Sequence, residues 1–228
     1  DRDTRLSEGG EFIFPNTDVY RGDWDEDRHL RAGRGTCNYA NGDFFDGEWV
    51  NDETCGEGTL RYQDGVVYEG HFTANKRNGH GKCTYTSGQY VGEWEDDKRH
   101  GKGTLTYADG SSYEGEWDND VRHGQGHFKN AADESEYEGH FENDVMCGEG
   151  VATYSTGEKY DGNWKNGKRW GEGTMYLVNG DIYSGGFKDG HRVDGKGECR
   201  FSNGDHYQGN WRHELRHGKG INTFADGN

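Results

Sequence analysis

Three patterns in this chain have residue types suited to chemistry: glycine pairs that could cradle a phosphate, histidines four apart that could hold a metal, and Lys/Arg clusters that could bind an anion. Gly-x-Gly begins at Gly33, Gly56, Gly79, Gly101, Gly124, Gly148, Gly171, Gly195 and Gly218. Such glycines bind nucleotide phosphates where they close a strand and open a helix, or where the run ends in Gly-Lys-Ser/Thr. None of these has either context, so no nucleotide is expected. His123 with His127, and His213 with His217, would share an ion from one helix face, but here each spacing runs along a loop and a strand. Equivalent loops of adjacent two-strand repeats stand roughly 9.5 Å apart, too far to share zinc bonds of about 2.0–2.3 Å. No metal or cofactor is therefore expected, with a zinc held between chains by Cys199, His213 or His217 left as an alternative.

The five cysteines include no Cys-x-x-Cys pair, which points to a reducing compartment. Cys37, Cys83 and Cys199 occupy the inward position that Leu60, Leu105, Phe128, Ala152 and Met175 fill elsewhere, and so read as small core residues. Cys55 and Cys147 precede a first glycine, and nothing requires them to react. An enzyme is not expected. What remains is a ladder of basic loops, from which Lys98, Arg99, Arg122, Lys168 and Arg169 are the candidate anion-binding residues; the other reading of the ladder is a solvated edge.

The elements that would carry these residues follow from a repeated motif. Aromatic-x-Gly-x-aromatic recurs at intervals of about 23 residues, the period of a solenoid or array. The leading rings are Tyr20, Phe45, Tyr68, Tyr90, Tyr113, Tyr137, Tyr160, Tyr183 and Tyr207; the following rings are Trp24, Trp49, Phe72, Trp94, Trp117, Phe141, Trp164, Phe187 and Trp211. Residues i, i+2 and i+4 of a strand share a face, so both rings and the glycine between them point inward, and these eighteen rings are the predicted core. The Gly-x-Gly half of each unit alternates in the same way, as in Gly101, Gly103, Leu105 and Tyr107, and reads as a second strand. Dipeptides such as Asn41-Gly42, Asp64-Gly65 and Asn203-Gly204 then turn the chain. A unit this small cannot fold alone, so neighbours must stack into one continuous core.

Composition agrees with a folded repeat. The formal charge is −17 and hydrophobic residues make up only 29%, yet aromatics reach 14%, and disordered chains are poor in aromatics. The charge argues against nucleic acid as a partner. It also opposes attraction to an anionic leaflet, which supplies about 1 kcal/mol per Lys or Arg near the surface. First-strand outward positions are mainly acidic and second-strand ones often basic, a pattern that cross-strand ion pairs explain.

Tyr113-Glu114-Gly115-Glu116-Trp117, Gly101-Lys102-Gly103-Thr104-Leu105-Thr106-Tyr107 and Tyr160-Asp161-Gly162-Asn163-Trp164 resemble the MORN (membrane occupation and recognition nexus) repeat, from about residue 8 to 228. The expected fold is all-β, an elongated single-layer solenoid of tandem β-hairpins: a disordered tail at 1–7, a half repeat at 8–19 and nine repeats over 20–228. Departures are confined to connections: a longer first loop (residues 25–32), a longer eighth loop and an altered fifth turn (residues 130–136). The resemblance is greatest to MORN-only cytoskeletal scaffold proteins of apicomplexan parasites and trypanosomes. It implies a non-enzymatic scaffold in the cytoplasm, associated with the cytoskeleton or the inner face of a membrane, with cytoskeletal or membrane-associated protein partners. A phosphoinositide-binding module, or the targeting arm of a larger enzyme, is the alternative it implies. A homodimer through the C-terminal repeats, residues 160–228, is expected, with Trp170, Tyr176 and Phe224 as candidate interface residues. Trp170 is singled out because it lies outside the repeating set of rings, before a first glycine.

Overall fold

The computed structural model describes residues 5–6 and 11–227. The remainder of the expected tail, the start of the half repeat and Asn228 lie outside the described residues. Among the described residues every regular element is a β-strand. The chain divides into two compact units, residues 1–108 with 117–120 and residues 109–116 with 121–228. In the first, β1 (Arg5–Leu6) and β2 (Phe12–Ile13) lead into four hairpins: β3 (Val19–Asp25) with β4 (Leu30–Asn38), β5 (Phe44–Val50) with β6 (Glu53–Arg61), β7 (Val67–Thr73) with β8 (Lys76–Tyr85), and β9 (Gly88–Glu95) with β10 (Lys98–Tyr107). Each strand pairs antiparallel with the next in sequence. Residues 112–116 of β11 (Ser112–Asp118) belong to the second unit. There β12 (Val121–Lys129) is followed by β13 (Glu136–Glu142) with β14 (Val145–Thr153), β15 (Lys159–Lys165) with β16 (Lys168–Tyr176), β17 (Ile182–Lys188) with β18 (His191–Arg200), and β19 (His206–Arg212) with β20 (Leu215–Thr223). These too pair in sequence order.

The motif's central glycine meets the second glycine of Gly-x-Gly on both flanking strands. In the first unit the pairs run Gly22–Gly35–Gly47–Gly58–Gly70–Gly81–Gly92–Gly103. In the second they run Gly126–Gly139–Gly150–Gly162–Gly173–Gly185–Gly197–Gly209–Gly220. The leading ring lies over this row: a Cβ on Gly58 would sit 2.6 Å from Phe45, and one on Gly81 2.3 Å from the Tyr68 hydroxyl. Every leading tyrosine except Tyr183 reaches across the glycines to a carbonyl three residues on, as in Tyr90 Oη donating to Glu93 O at 3.0 Å. The following ring packs edge-on against leading rings of two repeats, Phe72 touching Phe45 and Tyr68 at 5.1 Å. Indole N–H groups of Trp49 and Trp94 donate to Gly35 O and Gly81 O. Every predicted core ring is buried except Trp24, which is half-buried against Phe12 and Phe14.

One part of the unit differs from expectation. Residues such as Lys98 and Arg99, read above as loop, lie in strand. The loop inside each hairpin after the first is only two residues, for example Asn51 and Asp52 with φ of 52° and 68°, the left-handed pair of a type I′ turn; the first hairpin has the longer loop, residues 26–29. The strand then passes through a bulge at the first glycine: Gly92 faces Gly103 while Glu93 faces His100, and Gly101 takes φ 55°. A bulge bends a strand without ending it. It also frees backbone N–H groups, and first-strand acids accept them: Asp23 Oδ2 from Arg34 at 3.0 Å and Glu93 Oε1 from Lys102 at 3.2 Å. Capping of the bulge thus accounts for part of the acidic outer face.

The buried phenols make stability depend on alkaline pH. Burial pushes Tyr20, Tyr113 and Tyr160 up to about 12, above the ordinary value of about 10. The folded state therefore prefers the neutral phenol; this stabilisation is complete below pH ~10 and is lost as pH rises through about 12. Phenolate absorbance and near-ultraviolet circular dichroism are expected to change together in that window. Full tyrosine titration near the ordinary value, with the dichroism intact, would show that the rings are solvated.

Candidate partner-binding surfaces

The inward position that opens the second strand holds Arg31, Arg77, Arg99 and Arg122, and each grips the next hairpin tip. Arg99 Nε donates to Asp120 Oδ1 at 3.0 Å and a terminal nitrogen donates to Asp120 O at 2.7 Å, with the guanidinium 4.2 Å from the Trp117 ring centre. Arg122 treats Asp144 likewise, at 3.0 and 2.9 Å. Arg31–Asp52 and Arg77–Asp97 repeat the contact at 3.4 and 3.0 Å. A planar guanidinium can stack on a ring and donate in its plane at once, which an ammonium cannot. The candidate anion-binding residues are therefore mostly committed to partners within the chain. Arg99 and Arg122 are turned inward onto aspartates. Lys98 donates to Asn119 Oδ1 at 3.0 Å, and Lys168 is exposed. Arg169 donates to Gly190 O and, at 3.3 Å, to Met175 Sδ.

The outer positions that end each bulge differ from repeat to repeat, and Trp170 is the largest of them. It is half-buried, with Lys165 Nζ 4.7 Å and Lys188 Nζ 5.8 Å from its ring. Tyr176 is 39% exposed, with Lys159 Nζ 5.8 Å from its ring, and Phe224 is 49% exposed. The outer face of the first unit carries a groove of about 520 Å³, bordered by Asp46, Glu57, Glu69, His80 and Lys82. Among the described residues no three His, Cys, Asp or Glu side chains form a metal-like group. Burial pushes the Cys37 thiol up to about 11, and also raises Cys83, Cys147 and Cys199, which keeps these thiols protonated and weakly nucleophilic.

Two irregularities in the second unit break the regular motif. In the sixth repeat Met146 pairs with Phe141 where an arginine pairs in most other repeats and Thr54 in the second, and Ala152 takes the position of Leu60 and Leu105. A cavity of about 340 Å³ opens there, bordered by Phe128, Tyr137, Met146, Ala152, Tyr154, Trp164 and Arg169. In the eighth repeat the extra residue places Val193 over Gly186, where a Cβ would lie 2.6 Å from Val193 Cγ2. The Tyr183 hydroxyl and Trp211 Nε1 there are buried without a hydrogen-bond partner.

A meander of aromatic hairpins joined by a glycine row defines a tandem β-hairpin repeat protein. The MORN repeat matches residues 20–44, 45–67, 68–89, 90–112, 113–131, 137–159, 160–182, 183–206 and 207–228, and the chain belongs to this family. No curated protein matches it. Among solved structures, the chain is similar to the TCP10 domain of Danio rerio CPAP in complex with a peptide of Danio rerio STIL: 13% identity, covering 99% of this chain and 100% of that one, TM-score 0.54. The SAS-4 (dCPAP) TCP domain of Drosophila melanogaster, in complex with a proline-rich motif of Ana2, is 12% identical over 86% of each chain, TM-score 0.37. At 13% identity the likeness to the Danio rerio domain is one of fold alone.

Proposed function

We propose that the chain is a non-enzymatic scaffold that binds protein partners along its repeats and associates with itself through its C-terminal repeats. It would serve in the cytoplasm at a cytoskeletal or membrane-associated structure, as MORN-only scaffolds do. The observation that carries this reading is where the reactive side chains go: most of the Tyr hydroxyls donate to carbonyls of their own strands, and the Arg–Asp pairs hold one hairpin to the next. The TCP10 domain, similar in fold, is seen with a peptide, which favours a peptide or protein partner here. Self-association is favoured by exposed apolar side chains late in the chain: Val178 at 66%, Leu215 at 71% and Ile221 at 68%. Anionic lipid is the weaker alternative, because the net charge is −17 and Arg99 and Arg122 already hold aspartates.

Light scattering on the eluting protein tests the self-association. The expected mass is twice the 25.8 kDa of one chain, reduced to a single chain in the double variant Leu215→Glu, Ile221→Lys. A monomer at high micromolar concentration would remove self-association from the reading and leave partner binding standing.

A further inference from the structure

The cavity of the sixth repeat combines missing volume with an unpaired cation. Ala152 lacks the bulk of Leu60 or Leu105 in the same position, and Met146 stands where the ring-stacked arginines stand. Beside it, Arg169 has lost its usual acceptor. The tip position that holds Asp97, Asp120 and Asp144 in other repeats is Gly190 here, so the guanidinium meets a backbone carbonyl, Met175 Sδ and the Tyr154 side chain but no carboxylate. Among the described residues Arg31, Arg77, Arg99 and Arg122 each have a carboxylate partner, and Arg169 has none. The one carboxylate at the rim, Glu136, is already held by Lys129 at 3.1 Å and His127 at 3.3 Å. Lys168 lies on the same rim. At about 340 Å³, the space falls at the lower end of the roughly 300–1,000 Å³ typical of ligand pockets.

We infer that this cavity is a docking site for a linear peptide segment in which one large apolar side chain lies beside a carboxylate. The apolar side chain enters between Ala152, Met146 and Trp164, and the carboxylate supplies Arg169 with the partner that Asp120 gives Arg99. Charge-assisted pairs of this kind are bidentate and short, and add to the apolar burial. The chain's overall negative charge acts weakly at the site, since screening sets in over about 8 Å at physiological ionic strength, within which Arg169 and Lys168 dominate. The inference rests on reading the chain as a partner-binding protein and narrows that reading to one site and one peptide chemistry.

The chain has two methionines, Met146 inside the cavity and Met175 against Arg169, so methyl-labelled methionine gives a two-signal nuclear magnetic resonance probe. The ligands are short acetylated, amidated peptides carrying Leu, Phe or Trp flanked by Glu, with matched peptides carrying Gln for Glu. Titration of the intact chain with the Glu peptides is expected to shift the Met146 methyl saturably, with about tenfold weaker binding for the Gln peptides. Two variants borrow residues that other repeats hold in the same positions and so preserve the fold: Ala152→Leu should abolish the shift, and Arg169→Met should remove the Glu-over-Gln preference. Equal binding of Glu and Gln peptides, or a shift that survives Ala152→Leu, overturns the assignment. A Met146 signal that moves with protein concentration alone gives the cavity to a second copy of the chain and overturns it too. Calorimetric binding without any Met146 shift retains partner binding but places it elsewhere, which overturns the site; no binding of any peptide at millimolar concentration overturns the site while the mass measurement still judges the scaffold.

Discussion

Trp117→Ala is expected to cost about 3–5 kcal/mol, the range for truncating a buried aromatic, and to weaken the hairpins beside it. The indole is 4% exposed. It packs edge-on to Tyr90 at 5.4 Å, donates its N–H to Gly103 O at 3.1 Å and carries the Arg99 guanidinium 4.2 Å above it. Truncation therefore leaves a cavity, an unpaired carbonyl and a guanidinium without its platform. Because each repeat is stabilised by its neighbours, the loss should broaden the denaturant transition as well as lower its midpoint. Trp117→Phe is the control, since Phe72, Phe141 and Phe187 occupy the same position in other repeats; a volume-reducing but apolar swap of this kind should cost about 1 kcal/mol. An unchanged unfolding midpoint for the alanine variant would mean that the ring is not part of the core.

The core was legible because its signal is periodic. A ring every second residue on one face, repeated in register, leaves little freedom for which side turns inward, and only Trp24, beside the short strand β2, is less than buried. The hairpins were legible in number but not in extent. A left-handed glycine in a basic, polar stretch reads as the end of a loop, whereas Gly101 at φ 55° is a bulge inside β10. Only the pairing of Glu93 with His100 reveals that the strand began earlier.

The basic residues were misplaced for a related reason. Arg99 and Arg122 sit in a charged run, but strand alternation at that point turns them inward onto the rings. A signal for this was present in the sequence: Asp97, Asp120 and Asp144 follow Arg77, Arg99 and Arg122 by about one repeat each time, the spacing of an inter-repeat pair. The sixth-repeat cavity becomes visible from the same repeat-by-repeat comparison, as the place where Met146, Ala152 and Gly190 depart from their columns together. Its volume and the direction of Arg169 depend on side-chain packing, which periodicity does not specify.

Gly92→Ala should be nearly as damaging as loss of a ring, although it adds a single methyl group. Its Cβ would lie 2.5 Å from the Gly103 Cα, 2.6 Å from the Lys102 carbonyl oxygen and 2.6 Å from the Tyr90 hydroxyl. Two of these are backbone atoms of the paired strand, so relief requires parting β9 from β10 or expelling the Tyr90 ring, and a cost of about 3 kcal/mol follows, at the upper end of ordinary overpacking. Conformational freedom is not the reason for glycine at this position, because its φ is not in the left-handed region. Gly65→Ala separates the two effects: Gly65 has φ 91° but nothing within 4 Å of an added methyl, so its replacement should cost only the backbone strain of roughly 1–2 kcal/mol. Urea unfolding followed by tryptophan fluorescence distinguishes them, since Gly92→Ala should also shift the native emission of Trp94 while Gly65→Ala should not. Equal losses, with native spectra unchanged in both, would mean that the glycine row serves the turns and strands only as flexible chain; a larger loss at Gly92 would mean that contact between the strands and the ring above them selects glycine there.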